Sequence, residues 1–415
     1  MKYFLVVQLP AFALSADRFA VESAFGVHLR MLRRCIGEEY SELVMIAPGY
    51  EQVRAEDLAR LEIIDAAESG IRFLSAYPVT TSRKQFLLRG WLQTWRWLRH
   101  IFREPCIVHA GISSDLARPL MFMASLAGRS RGRKVMFFVD MDFRQHASRL
   151  YKAGLWSRRA WLVNRWVYDP LMRLQLWLAP RLFSVCCYKG EKLVRDYGRG
   201  RDNVKAFFDT VHSGSDLPAA QEAAQRRQWM RLEQGSFRAV YFGRLAFNKG
   251  VDQMIAAVGI ARKAGLDLQL RVIGSGEQHE QLVRQVEAAQ LGDHVEFVEP
   301  VPYGAALFRL LQDCHVSLAA PLMEDTPRSA FDSLARGLPI VAFDLDYYGE
   351  LEQKSGAVLT TPWGSAEGLA RGIVQLAHDR LQLEAMMDRG IEFAIANTQE
   401  IWLMRRTAWL GNAAQ

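Results

Sequence analysis

The chain lacks the features that define several large protein classes. Its five cysteines, Cys35, Cys106, Cys186, Cys187 and Cys314, are odd in number, and none forms a CxxC pair. That speaks against a disulfide scaffold or a thiolate metal site, and suits buried thiols in a reducing compartment. No apolar run reaches the roughly 18 residues of a membrane span, so no span is expected. The opening MKYFLVVQLPAF has no small-residue cleavage pattern and reads as a first strand, not a signal peptide. Low-complexity tracts and short tandem repeats are missing. So is a full GxGxxG run, which argues against a dinucleotide fingerprint.

What is present is globular. Of 415 residues, 50% are hydrophobic and 23% charged, enough for two substantial domains. The 52 Lys and Arg outnumber 45 Asp and Glu, a net charge of +7. Such a balance favours acidic partners: phosphates, nucleic acid or an anionic membrane surface. No nucleic-acid-binding module accompanies it, so nucleic acid is not expected as a partner.

Strand-like and helix-like segments alternate along the chain. In the first half, KYFLVVQL, SELVMIAP, IRFLSAYPV, PCIVHAG, KVMFFVDMDF, LFSVCCYK and VKAFF read as strands. Residues 10–22 read as a loop, a helix starts near Ser23, and residues 51–70 read as a solvated helix. A Ser-, Gly- and Pro-bearing stretch over 212–236 marks a domain boundary. Beyond it the rhythm is regular: FRAVYFG, LQLRVIG, VEFVEPV, VSLAAP, PIVAFD and GAVLT are strands separated by helices. This predicts a parallel sheet with helices on both faces. Helices are expected over 380–398 and 400–411.

Two segments are basic and aromatic. Residues 83–104 hold six Lys or Arg and one acid, with Leu87, Trp91, Trp95, Leu98 and Phe102 on one helical face. Residues 152–181 hold six basic residues against Asp169, with Trp156, Trp161, Trp166 and Trp177. Each reads either as an interfacial helix on an anionic membrane or as a core helix with a solvated basic face.

Chemistry concentrates between Tyr241 and Asp332. YFGRLAFNKG places Arg244 and Lys249 around a glycine turn, as a fork and a mobile charge suited to a diphosphate. Gly243, Gly274 and Gly276 follow strands and permit close backbone approach. PLMEDTPRSAFDSLARG sets Glu324 and Asp332 eight residues apart across a turn and a helix start. Asp325, Thr326, Pro327 and Arg328 sit at that start, where anions are favoured; Arg328 is either a phosphate contact or a solvated charge. A buried acid beside Phe331 and Leu334 is costly unpartnered, so Asp332 calls for a ligand or an internal Arg.

These motifs, in this order, resemble the retaining GT-B glycosyltransferases of family 4 (glycosyl transferases group 1). The matching residues are Gly243, Arg244, Lys249 and Gly250, then Val272–Glu277, then the spaced acids Glu324 and Asp332. Asp332 stands where that family has Glu, and Ser213–Asp216 stands where it often has N-G-V-D. The resemblance implies an α/β GT-B fold: two Rossmann-like domains facing each other across a cleft, with the C-terminal helix crossing back to the N-terminal domain. The expected boundaries are 1–215 for the acceptor-side domain, joined by helix 395–415, 216–236 for a linker and first helix, and 237–394 for the donor-binding domain.

The resemblance also implies transfer from a UDP- or GDP-sugar to a glycan or lipid-linked acceptor in surface polysaccharide biosynthesis. No other cofactor is expected. Arg244 and Lys249 would hold the diphosphate, Glu324 the sugar, and Asp332 the ribose. Asp140 takes the place of the family's His at the end of KVMFFV. His109 is a second cleft candidate, with Arg144 and His146 behind it. Asp140 and Asp142 have D-x-D spacing, but the resemblance implies no metal. The expected setting is the cytoplasm, with the two basic helices able to meet the inner face of the cell membrane. A nucleotide-sugar epimerase and a non-catalytic partner of the same fold stand as alternatives.

Overall fold

The computed structural model describes residues 1–50, 61–144, 146–152, 154–232, 235–324 and 327–412. Two compact units emerge. One holds Met1–Ala147, Trp156–Phe208 and the chain from Glu400; the other holds Ser148–Leu155 and Asp209–Gln399.

The first unit carries β1 (Lys2–Val6), β2 (Ala11–Ala13), β3 (Arg18–Glu22), β4 (Glu42–Tyr50), β5 (Leu61–Asp65), β6 (Ile71–Pro78), β7 (Cys106–Gly111), β8 (Lys134–Val139), β9 (Val185–Lys189) and β10 (Val204–Phe207). The order is β10-β9-β8-β7-β1-β4-β2-β3-β5, with β6 also on β4. Strands β10 to β4 and β6 are parallel and nearly all apolar, as sheets covered on both faces require.

Two expectations fail here. The loop over 10–22 contains β2 and β3, which pair antiparallel through Phe12↔Ala20 and Ala13↔Phe19. Residues 61–65 form β5 rather than helix, antiparallel to β3 from Arg18↔Asp65 to Glu22↔Leu61. Among the described residues of that stretch, Ala66–Ser69 are helical, capped by Asp65 Oδ1 on the Ala67 amide at 2.9 Å and ended by left-handed Gly70. The rest of that expected helix, 51–60, lies outside the described residues.

The helix Gln399–Asn412 completes this unit. Its Trp402, Leu403 and Leu410 are buried. Nη2 of Arg406 donates to the Phe208 carbonyl at 2.9 Å, and its guanidinium lies 4.5 Å from the Phe207 ring centre.

The basic aromatic segments are both helical. Arg83–Gln85 runs through a π turn, Phe86–Gly90, into Trp91–Ile101. The extra residue of the π turn shifts the buried line to Phe86, Thr94, Leu98 and Phe102. Leu87, Leu88, Trp91 and Leu92 are thereby left exposed, so the expected apolar face is split. Likewise Arg158–Val163, the π turn Asn164–Tyr168 and Asp169–Leu182 form one run. Met172, Leu176 and Ala179 join the same core as Phe86 and Leu98. Val163, Trp166, Val167, Leu171, Leu174 and Trp177 stay exposed at helical spacing, with Trp166 71% accessible. Among the described residues no helix is long and apolar enough to cross a membrane.

The second unit carries β11 (Phe237–Phe242), β12 (Leu268–Ile273), β13 (Val295–Val298), β14 (Val316–Ala319), β15 (Ile340–Phe343) and β16 (Val358–Thr361). All are parallel, in the order β13-β12-β11-β14-β15-β16. The α/β fold, with a mostly parallel sheet in the first unit and a parallel one in the second, agrees with the sequence reading.

Candidate functional site

In the second unit the chain winds outward from β11 in one direction and from β14 in the other. These two strands are neighbours, so the strand order reverses between them. In open parallel sheets, ligands bind outside the strand carboxyl ends at that reversal, where the connections diverge and leave a crevice. A cavity of about 230 Å³ opens there. Tyr241–Arg244 at the end of β11, Ser317–Pro321 at β14, and Lys249, Pro327 and Ser333 line it. The structure thus brings Gly243, Arg244, Lys249 and Pro327 to one cavity.

The glycines shape this place by backbone contact. Gly243, Gly274 and Gly276 have φ of 153°, 149° and 159°. A Cβ on Gly274 would lie 1.9 Å from the Gly243 carbonyl oxygen, and one on Gly276 2.3 Å from that of Leu245. The Gly243 and Leu245 amides donate to the carbonyls of Ile273 and Ser275 at 3.0 and 2.8 Å. Gly274 and Gly276 therefore fit the 274–276 turn against the Arg244 turn, and they do not line the cavity. Gly250, left-handed at φ 64°, lets the Lys249 turn press on the Ala320 carbonyl. The Tyr241 hydroxyl donates to the Arg244 carbonyl at 2.9 Å. The Arg244 side chain is exposed and forms no ion pair with a described residue.

Glu324 is buried after β14. Its Oε1 accepts from Nη1 of Arg149 and from the Asp346 amide, each at 3.2 Å. Burial pushes its carboxyl up, and the Asp346 charge adds to that; Arg149 pulls it down. Arg149, in the helix His146–Lys152, is a functional candidate that the sequence did not disclose.

Asp332 is the fourth residue of the helix Ser329–Ala335, one turn in. It is buried, and Oδ1 accepts from the Tyr303 hydroxyl at 3.2 Å. Burial first, then the Asp216 charge, push it up to about 7; the Tyr303 bond and Arg328 oppose this. Its hydrogen-bond partner among described residues is thus a tyrosine and not an internal arginine. Asp216 itself closes a capping box on Ser213. Nε of Arg328, whose side chain is half-exposed, pairs with Asp209 Oδ2 at 3.0 Å. Asp325 and Thr326 lie outside the described residues.

Residues 224–393, which hold these strands, the cavity and both acids, match the family described as glycosyl transferases group 1. That stretch is a glycosyl transferases group 1 domain. A curated D-inositol 3-phosphate glycosyltransferase of Pseudarthrobacter chlorophenolicus is 28% identical to this chain over 170 residues. The match spans 40% of this chain and 39% of that relative. A second, from Paenarthrobacter aurescens, is 29% identical over 172 residues, 40% of each chain. Across the whole chain, the fold is that of HepE of Anabaena, solved with UDP: TM-score 0.65, 14% identity, 98% of each chain covered. WaaG, a glycosyltransferase involved in lipopolysaccharide biosynthesis, aligns at TM-score 0.61 and 11% identity over 98% of each chain. These likenesses show the two-domain α/β fold called GT-B.

The first unit's candidates lie outside the group 1 domain. Asp140 is exposed just past β8. His109 is buried in β7: its Nδ1 is 2.8 Å from the Tyr3 hydroxyl and its ring packs on Phe138. Burial and the Arg406 charge hold it well below the usual histidine range. Arg144 is held between Asp142 and Asp196. His146 packs edge-on against Trp156, and burial lowers its affinity for a proton. Among described residues no three His, Cys, Asp or Glu side chains converge as metal ligands would.

Proposed function

We propose that this chain is a retaining glycosyltransferase of family 4, moving a sugar from a UDP- or GDP-sugar to a glycan or lipid-linked acceptor in surface polysaccharide biosynthesis. The observation that carries the reading is the convergence of Arg244 and Lys249 on one cavity at the strand reversal of a group 1 domain. Two cations there meet the charge that grows on a departing diphosphate. Asp332 would accept from ribose hydroxyls, Glu324 from the sugar, and the Pro327–Arg328 turn would border the phosphates. The second unit would hold donor, and the first unit, with Asp140 at a strand end, acceptor.

No protein nucleophile is needed for this chemistry. The leaving phosphate takes the proton of the attacking acceptor hydroxyl as the new bond forms on the face the phosphate leaves. The protein's part is orientation and charge stabilisation.

The solved relative that binds UDP, and UDP-glucose in a further crystal, supports the donor class. The apolar, arginine-flanked faces of the helices over 83–101 and 158–182 support an acceptor met at an anionic membrane surface.

Calorimetry with UDP and GDP tests the donor site, and micromolar binding of one is the expected result. With donor and a membrane extract as acceptor, the product should keep the donor's anomeric configuration by NMR. Donor isomerised without acceptor would instead make the protein an epimerase.

A further inference from the structure

We propose that Arg149 is a positioning residue: it ties back one oxygen of Glu324 so that the other is presented to a hydroxyl of the donor sugar. This rests on the donor reading above and assigns a role to a residue outside the motifs.

Three observations carry it. Among the described residues, both hydrogen bonds of Glu324 fall on Oε1, from Nη1 of Arg149 and the Asp346 amide. With one oxygen held by two donors, the carboxylate's rotation is fixed and Oε2 is the oxygen left to face a ligand. Next, the pair is deeply set. The side chains are 19% and 5% exposed, and the Arg149 guanidinium lies 6.0 Å from the Trp363 ring centre. A carboxylate so buried, and beside Asp346, drifts towards its neutral form; the guanidinium keeps it an acceptor. Last, the cation arrives by an unusual route. Ser148–Leu155 belongs with the second unit, while the chain on both sides of it belongs with the first. That segment sets an arginine against the acid eight residues before Asp332.

A purely structural role for the pair predicts lost stability and nothing else. A positioning role predicts that the sugar's share of donor affinity is lost while the nucleotide's share stays. The test measures Kd for UDP against UDP-glucose and for GDP against GDP-mannose, in wild type, Arg149→Ala and Arg149→Lys. In wild type one sugar nucleotide should bind tighter than its diphosphate.

In Arg149→Ala that advantage should fall about tenfold or vanish, while diphosphate Kd stays within about twofold. Lysine, with charge but no fork, should restore part of it. In the alanine variant, what remains of the advantage should be lost at a higher pH than in wild type, because Glu324 has lost its cation. An unchanged ratio in Arg149→Ala overturns the inference and leaves the donor reading standing. A wild type that binds neither diphosphate overturns the donor reading, and the inference with it. If the alanine variant does not fold, the lysine variant reads the same ratio.

Discussion

The Tyr303 hydroxyl donates to Oδ1 of Asp332 across 3.2 Å, bonding an acid that burial has pushed up to about 7 from an ordinary 3.8. Folding therefore favours the protonated acid. Its contribution to stability is full below about pH 4 and is lost as pH rises through about 7. Between pH 5 and 8 the wild type should lose on the order of 1–3 kcal/mol relative to Asp332→Asn. Urea denaturation at each pH checks this, and parallel curves for the two proteins would count against it. Tyr303→Phe removes a bond that lowers the Asp332 pKa, so the midpoint should move upward.

Removing either cation at the cavity should weaken nucleotide binding without unfolding the protein. Arg244→Ala and Lys249→Ala should each cost about 1.5–3 kcal/mol of UDP or GDP affinity, roughly ten- to hundredfold. Calorimetry reads the loss, and a smaller salt dependence in each variant should accompany it. Unchanged affinity in both would leave the diphosphate site without support.

Backbone crowding makes Gly274 a structural prediction. Alanine there meets a carbonyl oxygen at 1.9 Å with φ at 149°, so two turns must separate. Gly274→Ala should destabilise by about 3 kcal/mol or more. Gly214→Ala, where no atom lies within 4 Å of the added Cβ, is the control and should be nearly neutral. Chemical denaturation compares the two.

The exposed stripe of Trp166, Leu171, Leu174 and Trp177 should seat in a bilayer surface. The full chain should sediment with vesicles containing anionic phosphatidylglycerol, and less with neutral phosphatidylcholine. Serine at both 166 and 177 should cut that binding about tenfold, since insertion scales with buried apolar area. Equal sedimentation of wild type and double variant would remove the insertion.

The part of the site legible in sequence was the part written locally. Arg244 and Lys249 share one turn, and the strands of the second unit are short, mostly apolar runs alternating with helical ones, so both were readable. The contacts that complete the site join residues far apart. Arg149 and Glu324 are separated by 175 positions, Arg328 and Asp209 by 119, and nothing near either end announces the other. His109 and its partner, Tyr3, lie 106 positions apart. β2, β3 and β5 were missed for a related reason: such short strands are strands only by virtue of their neighbours. The π turn at Phe86–Gly90 rotated an apolar face that a 3.6-residue period placed elsewhere.

The helix Gln399–Asn412 bears on how the protein is made. Arg406 covers Phe207 and Phe138, and Trp402 meets Phe208 edge-on. On a ribosome, this wall of the first unit emerges only after the strands of the second unit have all been synthesised. A nascent chain halted anywhere before it holds an unsealed aromatic surface for chaperones and proteases to find.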